Sequence, residues 1–271
     1  MLKLGSVFSG IGGLELGLER VLSCLVCWQV EIDPFCRDVL ARHWPKATRY
    51  LDVRTVGKTN LAPVDIICGG FPCQDVSSAG KRKGLTGERS GLWFAFARIV
   101  DECKPRFVVV ENVASGKRLW LPAVRGDLEA LGYRTAAYAI SAACVGAPHL
   151  RRRLFVIADL DAKSESTLSV HAEMASTSTS LQLAANINSH SKRSRRSRGT
   201  AACIAERRSD ESAGETASKR QSYWQVETQP TLVRMVHGVP GGVDRRRISA
   251  LGNAVVPQCA EVVGRILKDI L

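Results

Sequence analysis

Val7-Phe8-Ser9-Gly10-Ile11-Gly12-Gly13-Leu14-Glu15 is the stretch that decides the fold. An apolar β-type run, Leu2–Phe8, ends inside it, glycines turn the chain, and an amphipathic run over Gly13–Leu22 follows. Glycine permits positive φ and lets a ligand approach the backbone closely. A strand that feeds a helix through such a turn opens an α/β sheet, where ligands sit outside the carboxyl ends of the strands. Eighteen residues beyond Gly13, at the end of a second apolar run (Leu25–Glu31), stands Glu31. A carboxylate there can accept hydrogen bonds from a ribose. The pair points to a nucleoside-containing cofactor, although the third glycine of the dinucleotide pattern is missing and Gly-rich turns also serve packing alone.

Working outward, further strands are expected at Val64–Cys68, Phe107–Glu111, Thr135–Ser141 and Leu154–Ala158. Helices are expected at Pro34–His43, Gly91–Cys103 and Leu121–Leu131. Leu92, Phe94, Phe96, Ile99 and Val100 recur near helical spacing. Strands alternating with helices predict a parallel sheet covered on both faces. Composition changes after Ala158. From Ser164 to Ser222, 19 of 59 residues are Ser or Thr, with a basic run at Ser191–Arg198, so this stretch cannot build a core of its own. It reads as a surface insertion. Helical character returns at the end, where Pro257 suits a first turn and Val262, Val263, Ile266, Leu267 and Ile270 share a face.

The 271 residues carry 38 Lys and Arg against 26 Asp and Glu, a net charge of +12 that suits a polyanionic partner. The excess is spread: +8 up to Ala158 and +4 beyond it. No apolar run approaches a membrane span. The first residues, Met1 to Ser6, lack a signal-peptide layout, so the expectation is a cytoplasmic chain without membrane attachment. Nine cysteines form no paired framework and are expected as reduced thiols. Cys24 and Cys27 have metal-like spacing, but no second pair completes a ligand set, so no metal site is expected.

Three further segments carry chemistry. Gly69-Gly70-Phe71-Pro72-Cys73-Gln74-Asp75 follows a β-type run, which puts a cysteine on a loop at a strand's carboxyl end. A thiolate there is a good nucleophile if cations or helix ends lower its pKa. Lys81, Arg82 and Lys83 follow in a Gly- and Ser-rich segment of the kind that closes as a lid. Glu111-Asn112-Val113 ends another strand, where Glu111 can act as a general acid or bind a base, or simply cap the next turn. Arg151-Arg152-Arg153 precedes Leu154-Phe155-Val156-Ile157 and suits phosphate or carboxylate binding, or a solvated rim.

In this order the segments resemble the DNA cytosine carbon-5 methyltransferase family. Phe8–Gly13 is similar to its S-adenosylmethionine loop, and Gly70–Gln74 with Ser77-Ser78-Ala79-Gly80 to its nucleophile motif. Glu111-Asn112-Val113 looks like its ENV motif, Arg151-x-Arg153 part of its QxRxR motif, and Gly252–Pro257 its C-terminal motif. His149 stands where the family has Gln, and Leu232–Pro240 keeps only a loose HGxP echo of the preceding motif.

The resemblance implies an α/β fold: a Rossmann-like, doubly wound S-adenosylmethionine-dependent methyltransferase sheet with a small, irregular target-recognition insertion. It implies a catalytic domain over 1–158, a recognition region over 159–244, and a completing segment over 245–271. Cys73 would attack carbon 6 of a cytosine flipped from the duplex, and Glu111 would hold its ring nitrogen and amine. Arg151 and Arg153 would position base and catalytic groups. Cofactor contacts would come from Phe8, Gly10, Gly12, Gly13, Glu31 (ribose), Ile32 (adenine face), Asp52 (adenine amine), Val53, Pro72, Leu92, Asn253 and Val255. Gln74, Ser77, Lys81 and Asn112 would meet the substrate. S-adenosylmethionine would leave as S-adenosylhomocysteine, with no metal. The implied partner is duplex DNA, met by a monomer. The resemblance leaves room for a restriction-endonuclease partner, which the sequence does not call for. A catalytically impaired DNA binder and an RNA cytosine methyltransferase are the alternatives. A dinucleotide oxidoreductase is disfavoured by Pro72-Cys73 and the glycine spacing.

Overall fold

The computed structural model describes residues 1–72, 92–161 and 241–271, and structural statements concern those residues. Seven strands form one sheet: β1 (Lys3–Val7), β2 (Leu25–Val30), β3 (Thr48–Tyr50), β4 (Ile66–Gly69), β5 (Phe107–Val113), β6 (Arg134–Ser141) and β7 (Arg152–Asp159). The α-helices described are α1 (Gly13–Leu22), α2 (Pro34–His43), α3 (Leu92–Cys103), α4 (Lys117–Ala130), α5 (Gly241–Asn253) and α6 (Pro257–Ile270). The strand order is β3-β2-β1-β4-β5-β7-β6. The chain winds outward from β1 in one direction to β2 and β3, and in the other to β4 and β5. The crevice at this reversal lies outside the carboxyl ends of β1 and β4.

Helices cover both faces, as expected, but the sheet is not all parallel. β7 inserts between β5 and β6 and runs antiparallel to both. Alternating apolar side chains mark a strand without marking its direction, and antiparallel neighbours such as β6 and β7 need no crossover helix between them. β3 was not expected: three residues, Thr-Arg-Tyr, carry no apolar run. α5 was not expected either, since its sequence has no continuous apolar stripe.

The central strands read as unbroken apolar runs because each face has its own core. Phe107 and Val109 of β5 join Leu4, Ile66, Leu14, Leu18, Val263 and Leu267 beneath α1 and α6. Val108 and Val110 join Val7, Ile67, Trp93, Phe96, Ile99 and Trp120 beneath α3 and α4. The register of β1 against β2 slips between Leu4 and Gly5, pairing Leu4 with Val26 but Gly5 with Trp28. Val26 therefore faces the first core and Trp28 the second. The Trp28 indole lies against Gly5, where a Cβ would come within 2.1 Å of the ring, and its Nε1–H donates to the Ala62 carbonyl at 2.9 Å.

α6 docks on α1 with the same economy of side chain. A Cβ on Gly13 would sit 2.2 Å from the Val255 carbonyl oxygen, and one on Gly17 would sit 2.3 Å from that of Pro257. Gly264 lies against Val21, with 3.1 Å to its Cβ. The Arg20–Glu261 ion pair, 2.9 Å long and partly exposed, closes the rim and adds little. Gly17→Ala is expected to force the two helices apart and lower unfolding stability by about 2 kcal/mol. Gly126→Ala, in α4 with no atom within 4 Å of the added methyl, is expected to raise it by about 0.5–1 kcal/mol. Urea unfolding of both variants measures the contrast.

Candidate active site

A cleft of about 810 Å³ opens at the switch point between β1 and β4. Its floor is the Gly-rich turn. Phe8, Gly10 and Gly12 have φ of 54°, 56° and 84°, a run that reverses the chain before α1 starts. Phe8 is the exception to the glycine rule, being held there by its neighbours: Ser9 N–H donates to the Val30 carbonyl at 3.2 Å and Gly12 N–H to that of Ser9 at 2.9 Å. A Cβ at Gly10 would meet nothing within 4 Å, so its backbone faces open space.

Glu31 ties the turn to the end of β2. Its Oε2 accepts the Gly10 N–H at 2.7 Å and its Oε1 the Asp33 N–H at 2.8 Å. Ile32 is 67% exposed at the rim. Asp52 and Val53 line the same side. Arg54 donates to both Asp52 oxygens, closest at 2.7 Å, and holds that carboxyl below its usual range.

The opposite wall joins three elements. Phe71 and Pro72 leave β4, Leu92 starts α3, and Glu111 and Asn112 close β5. Phe71 is buried against Trp93 and Trp120, with ring centroids 5.6 and 5.8 Å away. Asn112 Nδ2 donates to the Phe71 carbonyl at 3.3 Å, fixing the residue from which the Pro72 turn departs. A Cβ on Gly70 would come within 2.6 Å of Glu111 Oε2, so glycine leaves room for that carboxyl.

Arg153 Nε lies 2.9 Å from Glu111 Oε1 as an ion pair, without the alignment of a hydrogen bond. Its position depends on the direction of β7. Because β7 is antiparallel, it starts beside the end of β5, with Arg153 opposite Val113 and Phe155 opposite Glu111. A parallel strand would have carried these arginines to the far edge of the sheet. Burial pushes the Glu111 carboxyl up to about 7, outweighing the opposing pull of Arg153 and Arg151.

Two expected residues are not in the lining. Gly12 packs away from the cleft, where a Cβ would strike the Trp44 ring at 2.3 Å. Arg151, with φ of 27°, donates through one terminal nitrogen to the carbonyls of Gly252 and Ala254. It clasps the C-terminal segment, whose Asn253 and Val255 do reach the cleft beside Gly13. Cys73, Gln74, Ser77 and Lys81 lie outside the described residues, as does most of the expected recognition region.

Sequence reasoning missed Cys36, Leu51, Arg54, Arg246, Ser249 and Glu15, all of which line the cleft. Arg246, Ser249, Ala250 and Asn253 follow the i, i+3, i+4, i+7 spacing of one helix face. That spacing, read back from Asn253, was the signal available.

The family model for C-5 cytosine-specific DNA methylase matches residues 2–237. The chain is 34% identical over 169 residues to the type II methyltransferase M2.BsuMI of Bacillus subtilis, covering 59% of this chain and 42% of that one. It is 32% identical over 160 residues to the type II methyltransferase M.HhaI of Haemophilus parahaemolyticus, covering 58% and 48%. These matches span less than half the length of either relative. The Dnmt2 methyltransferase of S. pombe superposes with a TM-score of 0.53 over 65% of this chain and 56% of that one, at 19% identity, which speaks for the fold alone. The fold is thus the doubly wound sheet of S-adenosylmethionine-dependent methyltransferases, and the chain belongs to the C-5 cytosine-specific DNA methylase family.

Proposed function

We propose that this protein transfers a methyl group to carbon 5 of cytosine in duplex DNA. The observation that carries the reading is one cleft containing both an open Gly-rich turn tied to Glu31 and a buried Glu111 braced by Arg153. The first suits a nucleoside cofactor, and the second suits a cytosine. Residues 1–158 and 245–271 are assigned to the catalytic domain and 159–244 to target recognition.

S-adenosylmethionine supplies an electrophilic methyl carried on a sulfonium. The residues present fit it. Gly10 has an open backbone face, Glu31 retains lone pairs for ribose hydroxyls, Ile32 offers an exposed apolar face for the adenine, and Asp52 an acceptor for its amine. Phe8, Gly13, Val53, Pro72, Leu92, Asn253 and Val255 complete the walls.

In the proposed reaction the Cys73 thiolate adds to carbon 6 of the flipped base. Glu111, protonated, donates to ring nitrogen 3 and accepts from the exocyclic amine, so the electron pair released by addition accumulates at carbon 5. Carbon 5 takes the methyl. Loss of the carbon-5 proton then returns the pair to the 5,6 bond and expels Cys73. Arg153 keeps Glu111 oriented, and Arg151 holds the C-terminal wall in place. Gln74, Ser77, Lys81 and Asn112 are assigned to the substrate side.

Methyl transfer from labelled S-adenosylmethionine to duplex DNA is expected, and Cys73→Ala is expected to abolish it. Bisulfite sequencing of DNA from cells expressing the protein reads the base and its context. Absence of transfer to any mixed-sequence duplex by folded protein overturns the reading, and preferred transfer to RNA would redirect it.

Glu111 also makes a stability prediction. Its folded pKa lies near 7, above the usual 4.5, so the folded state holds the extra proton between those values. Its contribution to stability is greatest below about pH 4.5 and falls as pH rises towards 7, by roughly 3 kcal/mol. Glu111→Gln is expected to flatten that part of the profile in urea unfolding while lowering the methylation rate at least a hundredfold.

A further inference from the structure

Beneath the Gly-rich turn the core changes character. The layer of Leu4, Val26 and Ile66 is apolar, but the next layer towards the cleft is Ser6 of β1, Gln29 of β2 and Cys68 of β4, roofed by Glu15 of α1 and flanked by Ser9. All five are buried, and Ser6, Ser9 and Glu15 contribute to the cleft's floor. Glu15 is wholly inaccessible and takes part in no ion pair among the described residues. Its nearest polar neighbours are the neutral Ser6, Ser9 and Gln29, whose pull towards the charged form is outweighed by burial, so the carboxyl is held above its usual range.

A buried carboxyl is costly to ionise unless a positive charge comes near. Nothing in the layer supplies one. Cys68 is a neutral thiol, pushed well above its ordinary value chiefly by burial and further by Glu15, while Ser6, Ser9 and Gln29 are neutral. Across the floor, the charged groups lining the cleft are Glu31, Asp33, Asp52, Arg54, Glu111, Arg153 and Arg246. The arginines among them that have partners are held by Asp52 and Glu111.

We propose that Glu15 is a specificity residue that senses the positive charge of the cofactor through the floor of the cleft, favouring S-adenosylmethionine over its spent product. This rests on the cofactor reading above. The two molecules share a nucleoside and an amino-acid end, and differ in the sulfonium charge that departs with the methyl. An ionised Glu15 attracts that charge, and the neutral thioether product forfeits the attraction. Glu15 therefore releases a proton when the sulfonium arrives and regains it when the product forms, which helps the spent cofactor leave.

Calorimetric titration of the protein with S-adenosylmethionine and with S-adenosylhomocysteine tests this without turnover. The preference for the charged ligand is expected to rise with pH as Glu15 ionises more readily. Glu15→Gln is expected to weaken S-adenosylmethionine binding on the order of tenfold, leave S-adenosylhomocysteine binding within about twofold, and remove most of the pH dependence of their ratio. The part remaining belongs to Glu111, which titrates in the same cleft, and Glu111→Gln with Glu15 intact keeps the Glu15 part. An equal loss for both ligands, or a ratio that ignores pH in the unaltered protein, overturns the assignment. The second arm needs no variant to fold. Binding of neither ligand removes the cofactor reading itself, an outcome distinct from binding of both without discrimination.

Discussion

The contact on which the rest depends is the glycine-mediated approach of α1 and α6. Gly13 and Gly17 leave room for the carbonyls of Val255 and Pro257, so backbone meets backbone where side chains would normally intervene. The apolar face of α6, with Val263, Ile266, Leu267 and Ile270 buried, supplies the driving force, each such side chain contributing roughly 1.5–3 kcal/mol at most. That burial sets more than stability. It brings residues 253–255 against a turn that precedes them by some 240 positions in the chain, and the cleft has its C-terminal wall only because the last helix is seated.

A second constraint is the reversal of β7. The cleft needs cations at the carboxyl edge of strands that all point the same way up to β5. Running β7 backwards satisfies this at the start of a strand, where Arg153 is held by the ladder with β5 and Arg151 lies just ahead of it. Arg151 and Arg153, two residues apart, then diverge: Arg153 reaches Glu111 and Arg151 the carbonyls at 252 and 254. A single strand start thereby links the acidic centre of the cleft to its C-terminal wall.

Much of this was legible in sequence. α1 and α2 have the bounds expected from the sequence, and in the structure the Asp33 side chain caps α2 by accepting the Cys36 N–H. The glycine turn and the strand-end Glu31 and Glu111 lead to the cleft. What was not legible has definite causes. Strand direction leaves no trace in a period of two. β3 has three residues and takes its order from pairing with Trp28–Val30. α5 presents a polar face to a cleft and so lacks the apolar stripe that announces helices. Gly12 and Arg151 have the residue types of a ligand site but are used by Trp44 and by carbonyls, which only packing reveals. Glu15 lies within the Gly-rich stretch, yet its burial under the turn depends on which face of α1 meets the sheet.

The course of β7 has one further consequence. The strand begins at the cleft and ends at Asp159, beside Phe107 and Arg134 at the opposite margin. The chain therefore departs from the sheet on the side away from the cleft and comes back, at α5, on the side facing it. Its two attachment points are mechanically unequal. Alterations of length near the departure are insulated from the cleft by about 25 Å of paired strand, whereas alterations near the return act on the helix that carries Arg246 and Asn253. Changes of length are therefore absorbed at the departure and transmitted to the cleft at the return.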